Sequence, residues 1–248
     1  MKNLSKTILA VLATGVISCG LFCQQAQAIA TDSLANLVAN NGSLTIGDKT
    51  FTNFTFTNNG LTSFNASGIT VTASIDAGTG IYFLSYTGSI NYQTTALGAT
   101  SADLFLSYRV TATAGLIDYI DQRYTGGIAQ GTIGSLQVDE SVNAGAGNLA
   151  ESHLSAPLDS SDFPGFTEIG DNLFPPTPQP FLNVSKDITL GIFRDANSDP
   201  SILSSVTISR VEQSFHQVVP DGGSAVALLG IALAGIEGVR RLVRTRKA

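Results

Sequence analysis

The chain has 248 residues, with 13 Lys and Arg against 19 Asp and Glu, and a formal charge of −6. An acidic chain of this kind is no binder of nucleic acid or anionic lipid through a basic surface. Two histidines are too few for a three-histidine zinc site, and the two cysteines are Cys19 and Cys23, close to the N-terminus.

Lys2 and Lys6 precede an apolar run at residues 8–22, and two small-x-small sites follow, Ala26-Gln27-Ala28 and Ala28-Ile29-Ala30. This pattern predicts an export signal peptide over residues 1–30, cut by signal peptidase after Ala28 or Ala30. A retained N-terminal anchor is the alternative. Val16-Ile17-Ser18-Cys19 also reads as a relaxed lipobox with Cys19 as the lipidated residue. Both cysteines fall inside the leader, so the mature chain has no thiol for a disulfide, a metal or a nucleophile.

Residues 31–219 hold six cations and seventeen acids, a net charge of −11, so the basic C-terminus hides how acidic the body is. Thr, Ser, Asn and Gly fill this body, and alternating apolar residues recur through it, which predicts an all-β extracellular domain over residues 31–216. Residues 31–40 predict one short helix, capped by Thr31 or Asp32 and stopped at Asn40-Asn41-Gly42. Phe54 and Phe56 mark a strand that turns at Asn58-Asn59-Gly60. Ile69, Val71, Ala73 and Ile75 alternate with polar residues in the cleanest half-buried strand. Residues 81–86 predict a central strand, paired with residues 90–94 across Thr87-Gly88-Ser89. Leu104, Leu106, Tyr108, Val110 and Ala112 mark a long strand, and residues 133–142, 188–193 and 206–215 give three more. Residues 157–180 hold six of the eight prolines and predict a long surface loop or edge covering rather than a strand. Strands at this spacing predict a two-sheet antiparallel sandwich of jelly-roll type; a β-solenoid would need a fixed-period repeat, and none is seen.

The C-terminus begins with a spacer and breaker at residues 217–223, holding Val219, Pro220, Asp221, Gly222 and Gly223. A sixteen-residue apolar run at 224–239 follows, with Glu237 near its end, and then Arg240, Arg241, Arg244, Arg246 and Lys247 within the tail 240–248. The run predicts a transmembrane helix, short of the usual twenty or so residues but extended by snorkelling arginines, with its basic tail in the cytoplasm. A buried core helix is the alternative, and the terminal cations argue against it. The arrangement resembles the PEP-CTERM sorting signal of bacterial surface proteins, in its variant built on Val-Pro-Asp-Ser-Gly or Val-Pro-Asp-Gly-Gly. That resemblance implies export across the inner membrane, transient anchoring, and removal of the segment by a membrane-embedded exosortase. The body also resembles domains found ahead of this signal in other surface proteins. The likeness lies in Gly47-Asp48-Lys49-x-Phe51, in Asp103-Leu-x-Leu-x-Tyr108-x-Val110 and in Val211-Glu212-Gln213-Ser214-Phe215.

Chemistry-bearing motifs are sparse. His153 could serve as a general base, but no Gly-x-Ser-x-Gly elbow supplies a nucleophile. His216 reads as a surface residue beside the sorting junction. Asp139, Glu140, Glu151 and Glu168 are glycosidase candidates by residue type alone. Asp195, Asn197 and Asp199 have the spacing that opens a calcium loop, yet Pro200 and Val206 stand where its glycine and closing glutamate belong, so an Asn/Asp-rich turn is preferred. Tyr119, Arg123 and Tyr124 form the best candidate ligand patch, while Tyr82, Tyr86 and Tyr108 read as core. No cofactor is predicted, with calcium on a looser turn at Asp195, Asn197 and Asp199 as the alternative. The resulting expectation is a non-enzymatic cell-surface or extracellular-matrix protein, associated with biofilm or exopolysaccharide. Its partners would be signal peptidase, an exosortase-like enzyme and extracellular polysaccharide. A carbohydrate-binding module and a secreted hydrolase are the alternatives.

Overall fold

A computed structural model describes residues 29–129, 133–145, 148–158 and 166–218. Residues 1–28 of the expected leader, the sorting motif from Val219, the apolar run and the basic tail lie outside these residues. Among the described residues no helix is long and apolar enough to cross a membrane.

The chain forms β1 (Ile29–Ser33), α1 (Leu34–Ala39), β2 (Leu44–Ile46), β3 (Lys49–Asn59), β4 (Thr70–Ile75), β5 (Tyr82–Thr94) and β6 (Gly98–Ala112). It continues through β7 (Leu116–Ile128), β8 (Ile133–Asn143), β9 (Asn148–Leu158), β10 (Phe166–Leu173), β11 (Phe181–Arg194) and β12 (Ser204–Val218). Two antiparallel six-stranded sheets result, with orders β1-β4-β5-β12-β7-β10 and β2-β3-β6-β11-β8-β9. Strands β5 to β12 wind as a jelly roll, four in each sheet, and β1 to β4 extend both sheets on one side.

Alternation explains which faces meet. Ala102, Leu104, Leu106, Tyr108 and Val110 of β6 are buried against Val206, Ile208, Val211 and Phe215 of β12 and their neighbours. Phe51, Tyr108 and Phe215 pack as one aromatic junction between the sheets, with ring centroids 5.3 to 6.4 Å apart. Each of these rings comes from one of the three segments on which the resemblance of the body rests. Beside them, Lys49 is fully covered. Its ammonium donates to Asp48 at 2.8 Å and to Gln217, and stands 4.4 Å from the Tyr82 ring centroid. Burial pushes the Lys49 amine down despite Asp48 beside it, and raises the Tyr82 phenol to about 12.

Several sequence expectations need correction. The helix is shorter than 31–40: Thr31 and Asp32 lie in β1, and Ser33 is the cap, accepting from Asn36 N at 3.2 Å. No hairpin turns at Thr87-Gly88-Ser89, because β5 runs straight through it. A Cβ on Gly88 would lie 2.5 Å from the Gly68 carbonyl, so glycine serves close backbone passage there, and β5 bulges at this point, with Gly88 and Ser89 standing against Ser209 of β12. The stretch 157–180 is not one loop. Pro157 belongs to β9 and pairs with Ser135, and β10 lies within the stretch and pairs with β7. Both are edge strands; an edge position tolerates Pro157 in β9, and β10 itself contains no proline. The domain also reaches past 31–216 at both ends, since Ile29 pairs with Ser74 and Gln217 and Val218 pair with Ile117 and Leu116.

Phe51→Ala should lower unfolding stability by about 3–5 kcal/mol through the cavity left at the junction, read as a shift in urea midpoint. Phe105→Ala, at a ring 42% exposed on the outer face, should stay within about 0.5 kcal/mol of the parent.

Candidate functional site

The expected ligand patch is split by the period of β7. Tyr119 and Arg123 point outward, whereas Tyr124 is 1% exposed and packs in the core, so it is no part of a surface site. Tyr119, Asp121 and Arg123 of β7 line a groove with Glu212, Ser214 and His216 of β12 and Phe83 of β5. Its floor is Glu212, which faces outward yet is only 4% exposed because two arginines cover it. Arg123 and Arg210 both contact its carboxylate, and Ser85 Oγ donates to it at 2.7 Å.

Along the rim, flat groups stack. Tyr119 lies parallel to Phe174, with centroids 4.7 Å apart, and tilts against the His216 ring at 4.2 Å. Phe174 is 66% exposed, an open aromatic face at the end of the stack. A rim of rings beside a carboxylate and guanidinium groups can stack on an apolar ligand face and hydrogen-bond its polar edge. The sequence reading missed Phe174, which follows the unrecognised β10, and placed His216 at the junction rather than in this groove.

A second groove crosses the outer face of the other sheet. The register sets Asp187 of β11 beside Asp139 of β8, and Asp139 beside His153 of β9, with Ser185, Ser141 and Glu151 in the next row. His153 Nδ1 contacts Asp139, and Gln137 Nε2 donates to the other Asp139 oxygen at 2.6 Å. Burial, then Asp103 and Asp139, hold the Asp187 carboxyl above its usual range. Thus Asp139, Glu151 and His153 do come together. Glu140 turns to the opposite face, into the core, and the Glu168 side chain lies outside the described residues.

The Asp195, Asn197 and Asp199 segment is a pair of side-chain-stabilised turns. Asp195 Oδ1 accepts from Asn197 N at 2.7 Å, and Asp199 Oδ1 accepts from Ser201 N at 2.9 Å. Among the described residues no group of three or more His, Cys, Asp or Glu could hold a metal ion.

Between the sheets lies a polar cluster that the sequence reading did not single out. Lys186 replaces an apolar residue in the inward row Leu182, Val184, Ile188, Leu190 and Ile192 of β11, and it is fully buried. Glu140 occupies the equivalent place between Val138 and Val142 on β8, directly paired with Lys186 and in contact with its ammonium. Lys186 Nζ also donates to Gln213 Oε1 at 2.6 Å and to Gln122 Oε1 at 2.8 Å, and Gln122 Nε2 donates to Ser152 Oγ at 2.7 Å. The signal that could have found them is a charged residue on the apolar side of an alternating strand.

Burial lowers the His216 imidazole from its usual 6.5, against the opposing pull of Asp118 and Asp121. The folded chain therefore takes up this proton less readily than the unfolded chain. Stability held above about pH 6.5 is lost as the pH falls through the window just below it. His216→Gln should flatten the fall in melting temperature between about pH 7.5 and 5 relative to the parent; equal slopes would assign the fall to other groups.

Comparison with known proteins adds one firm point. No curated protein matches the chain. The solved structures similar to it include one described as TmCBM61 in complex with beta-1,4-galactotriose, at 9% identity and TM-score 0.31, covering 66% of this chain and 88% of that one. A structure of infectious bursal disease virus Gx strain is similar at 14% identity and TM-score 0.37, covering 80% and 56%. One of the carbohydrate-binding modules from the beta-sandwich super family is similar at 10% identity and TM-score 0.27, covering 65% and 89%. Likeness of this size says nothing of what this chain binds. Residues 218–243, starting at the last residue of β12, match the VPDSG-CTERM motif, a sorting signal of the PEP-CTERM type.

Proposed function

We propose that this chain is an exported surface protein, held at the membrane by the segment after β12 and then cut by an exosortase-like enzyme near Pro220-Asp221-Gly222. The match of residues 218–243 to the VPDSG-CTERM motif carries this reading. The sorting stretch follows β12 with no linker, so the sandwich sits against the membrane until cleavage. At the other end, Ile29 and Ala30 pair with Ser74 and Ala73, which favours cleavage after Ala28 because cutting after Ala30 would remove both pairs.

The released or transferred sandwich acts, on this reading, as a non-enzymatic component of the extracellular matrix. The stacked Phe174, Tyr119 and His216 rim favours a second reading, with polysaccharide as the ligand and the groove of Tyr119 and Arg123 as its site. Rings of this kind suit the apolar faces of sugars, and Asp121 and Arg123 suit their hydroxyls.

Intact mass of the surface protein tests the processing: the mature chain should begin at Ile29 and end near Asp221, and chains still ending in Arg-Lys-Ala would overturn it. Alanines at Pro220, Asp221 and Gly222 should leave protein membrane-bound. Gln in place of the five terminal cations should release unprocessed protein, since each contributes about 1 kcal/mol of attraction to anionic lipid.

On a glycan array, Tyr119→Ala should weaken any retained glycan by about 2- to 10-fold, the worth of one ring contact. Turnover on a hydrolase panel that is lost on His153→Ala or Glu151→Gln would replace the binding reading with an enzyme.

A further inference from the structure

Lys186, Glu140 and Gln213 meet inside the sandwich as an amine, a carboxyl group and a carboxamide, with no solvent between them. We propose that Lys186 and Gln213 form an intramolecular isopeptide bond, with Glu140 carrying the proton, so that β11 of one sheet is joined covalently to β12 of the other.

Three observations converge on this pair. Lys186 Nζ approaches the Gln213 carboxamide at 2.6 Å to Oε1, and Glu140 contacts the same nitrogen. Gln122 also accepts from Lys186, but its own amide nitrogen is engaged with Ser152 at 2.7 Å, which holds it as a structural partner. Gln213 Nε2 is buried with no hydrogen-bond partner among the described residues. Its departure as ammonia therefore breaks no hydrogen bond and removes unsatisfied donors from the core. Burial also pushes the Lys186 amine below its usual range, against the pull of Glu140, which favours the neutral form that is nucleophilic.

The step balances without any further reactant. One ammonium proton of Lys186 passes to Glu140, giving a neutral amine and a carboxylic acid. The amine nitrogen attacks Gln213 Cδ and a C–N bond forms. Glu140 gives its proton to Gln213 Nε2, the Cδ–Nε2 bond breaks and ammonia leaves. Glu140 then takes a proton from the attacking nitrogen, leaving a neutral secondary amide. Nothing is oxidised or reduced. A buried ion pair is replaced by an amide, which costs less to hold in an apolar interior.

The test is mass measurement on the full chain, expressed with its own signals and recovered in its processed form. The protein should weigh about 17 Da less than its sequence, one ammonia lost to amine attack. Trypsin should fail to cut after Lys186, and one product should join the segment holding Lys186 to the segment that starts at Val211. Lys186→Arg and Glu140→Gln should each restore the full mass. A parent chain of full mass that trypsin cuts at Lys186 overturns the proposal without reliance on any variant. So does a deficit of the same size that maps to another residue, such as a cyclised asparagine. A Glu140→Gln chain that still carries the bond removes Glu140 from the step.

Discussion

Tyr108 stands where the two sheets press together, and the sandwich is organised around it. Phe51 and Phe54 of β3, Tyr86 of β5 and Phe215 of β12 all pack against its ring, at centroid distances of 6.1 to 6.4 Å. With no cysteine beyond Cys23, no disulfide can tie the two sheets together, and packing of this kind joins them. The ring brings a cost as well. The hydroxyls of Tyr86 and Tyr108 are buried without hydrogen-bond partners among the described residues, a penalty of about 1–3 kcal/mol each. Burial, with Tyr86 and Glu140 nearby, holds the Tyr108 phenol far above its usual range. The junction is thus apolar enough to bind the sheets and polar enough to sit next to the Lys186 cluster.

Charge is arranged by layer. Three of the six cations of the body, Lys49, Lys186 and Arg194, are buried. Two more, Arg123 and Arg210, are folded down over Glu212. What faces solvent is therefore strongly acidic, more so than the formal charge of −6 suggests. Such a surface resists self-association. It also leaves Arg123, half exposed at the groove, as one of the few cationic groups a ligand could reach.

Much of this was legible from alternation. The strand at 69–75 and the row Leu104, Leu106, Tyr108, Val110 and Ala112 read correctly because their alternate apolar residues face the core. The pairing of sheets was legible too, since strand signals came at sandwich spacing. Strands β7, β9 and β10 were not, and the reasons differ. Gln122 and Ser152 occupy inward positions on β7 and β9, so the apolar row is broken where the interior polar cluster requires hydrogen-bonding groups. Proline near β9 and β10 read as a strand breaker, although an edge position tolerates it. Gly88 read as a turn, while the structure uses its missing side chain to let β5 pass Gly68. The candidate patch was half legible: residue type pointed to Tyr119 and Arg123, but only the register of β7 could separate them from Tyr124.

The last strand made is the central one. β12 lies between β5 and β7, and until it is in place the first sheet exists as two fragments, β1-β4-β5 and β7-β10, each with an open edge. Neither fragment can close until β12, the last strand in the chain, has joined them. Folding of this long-range topology therefore waits on the C-terminal end of the domain. Until then both fragments offer unpaired strand edges to other chains, so the 15 residues of β12 are what guards the sandwich against edge-to-edge association.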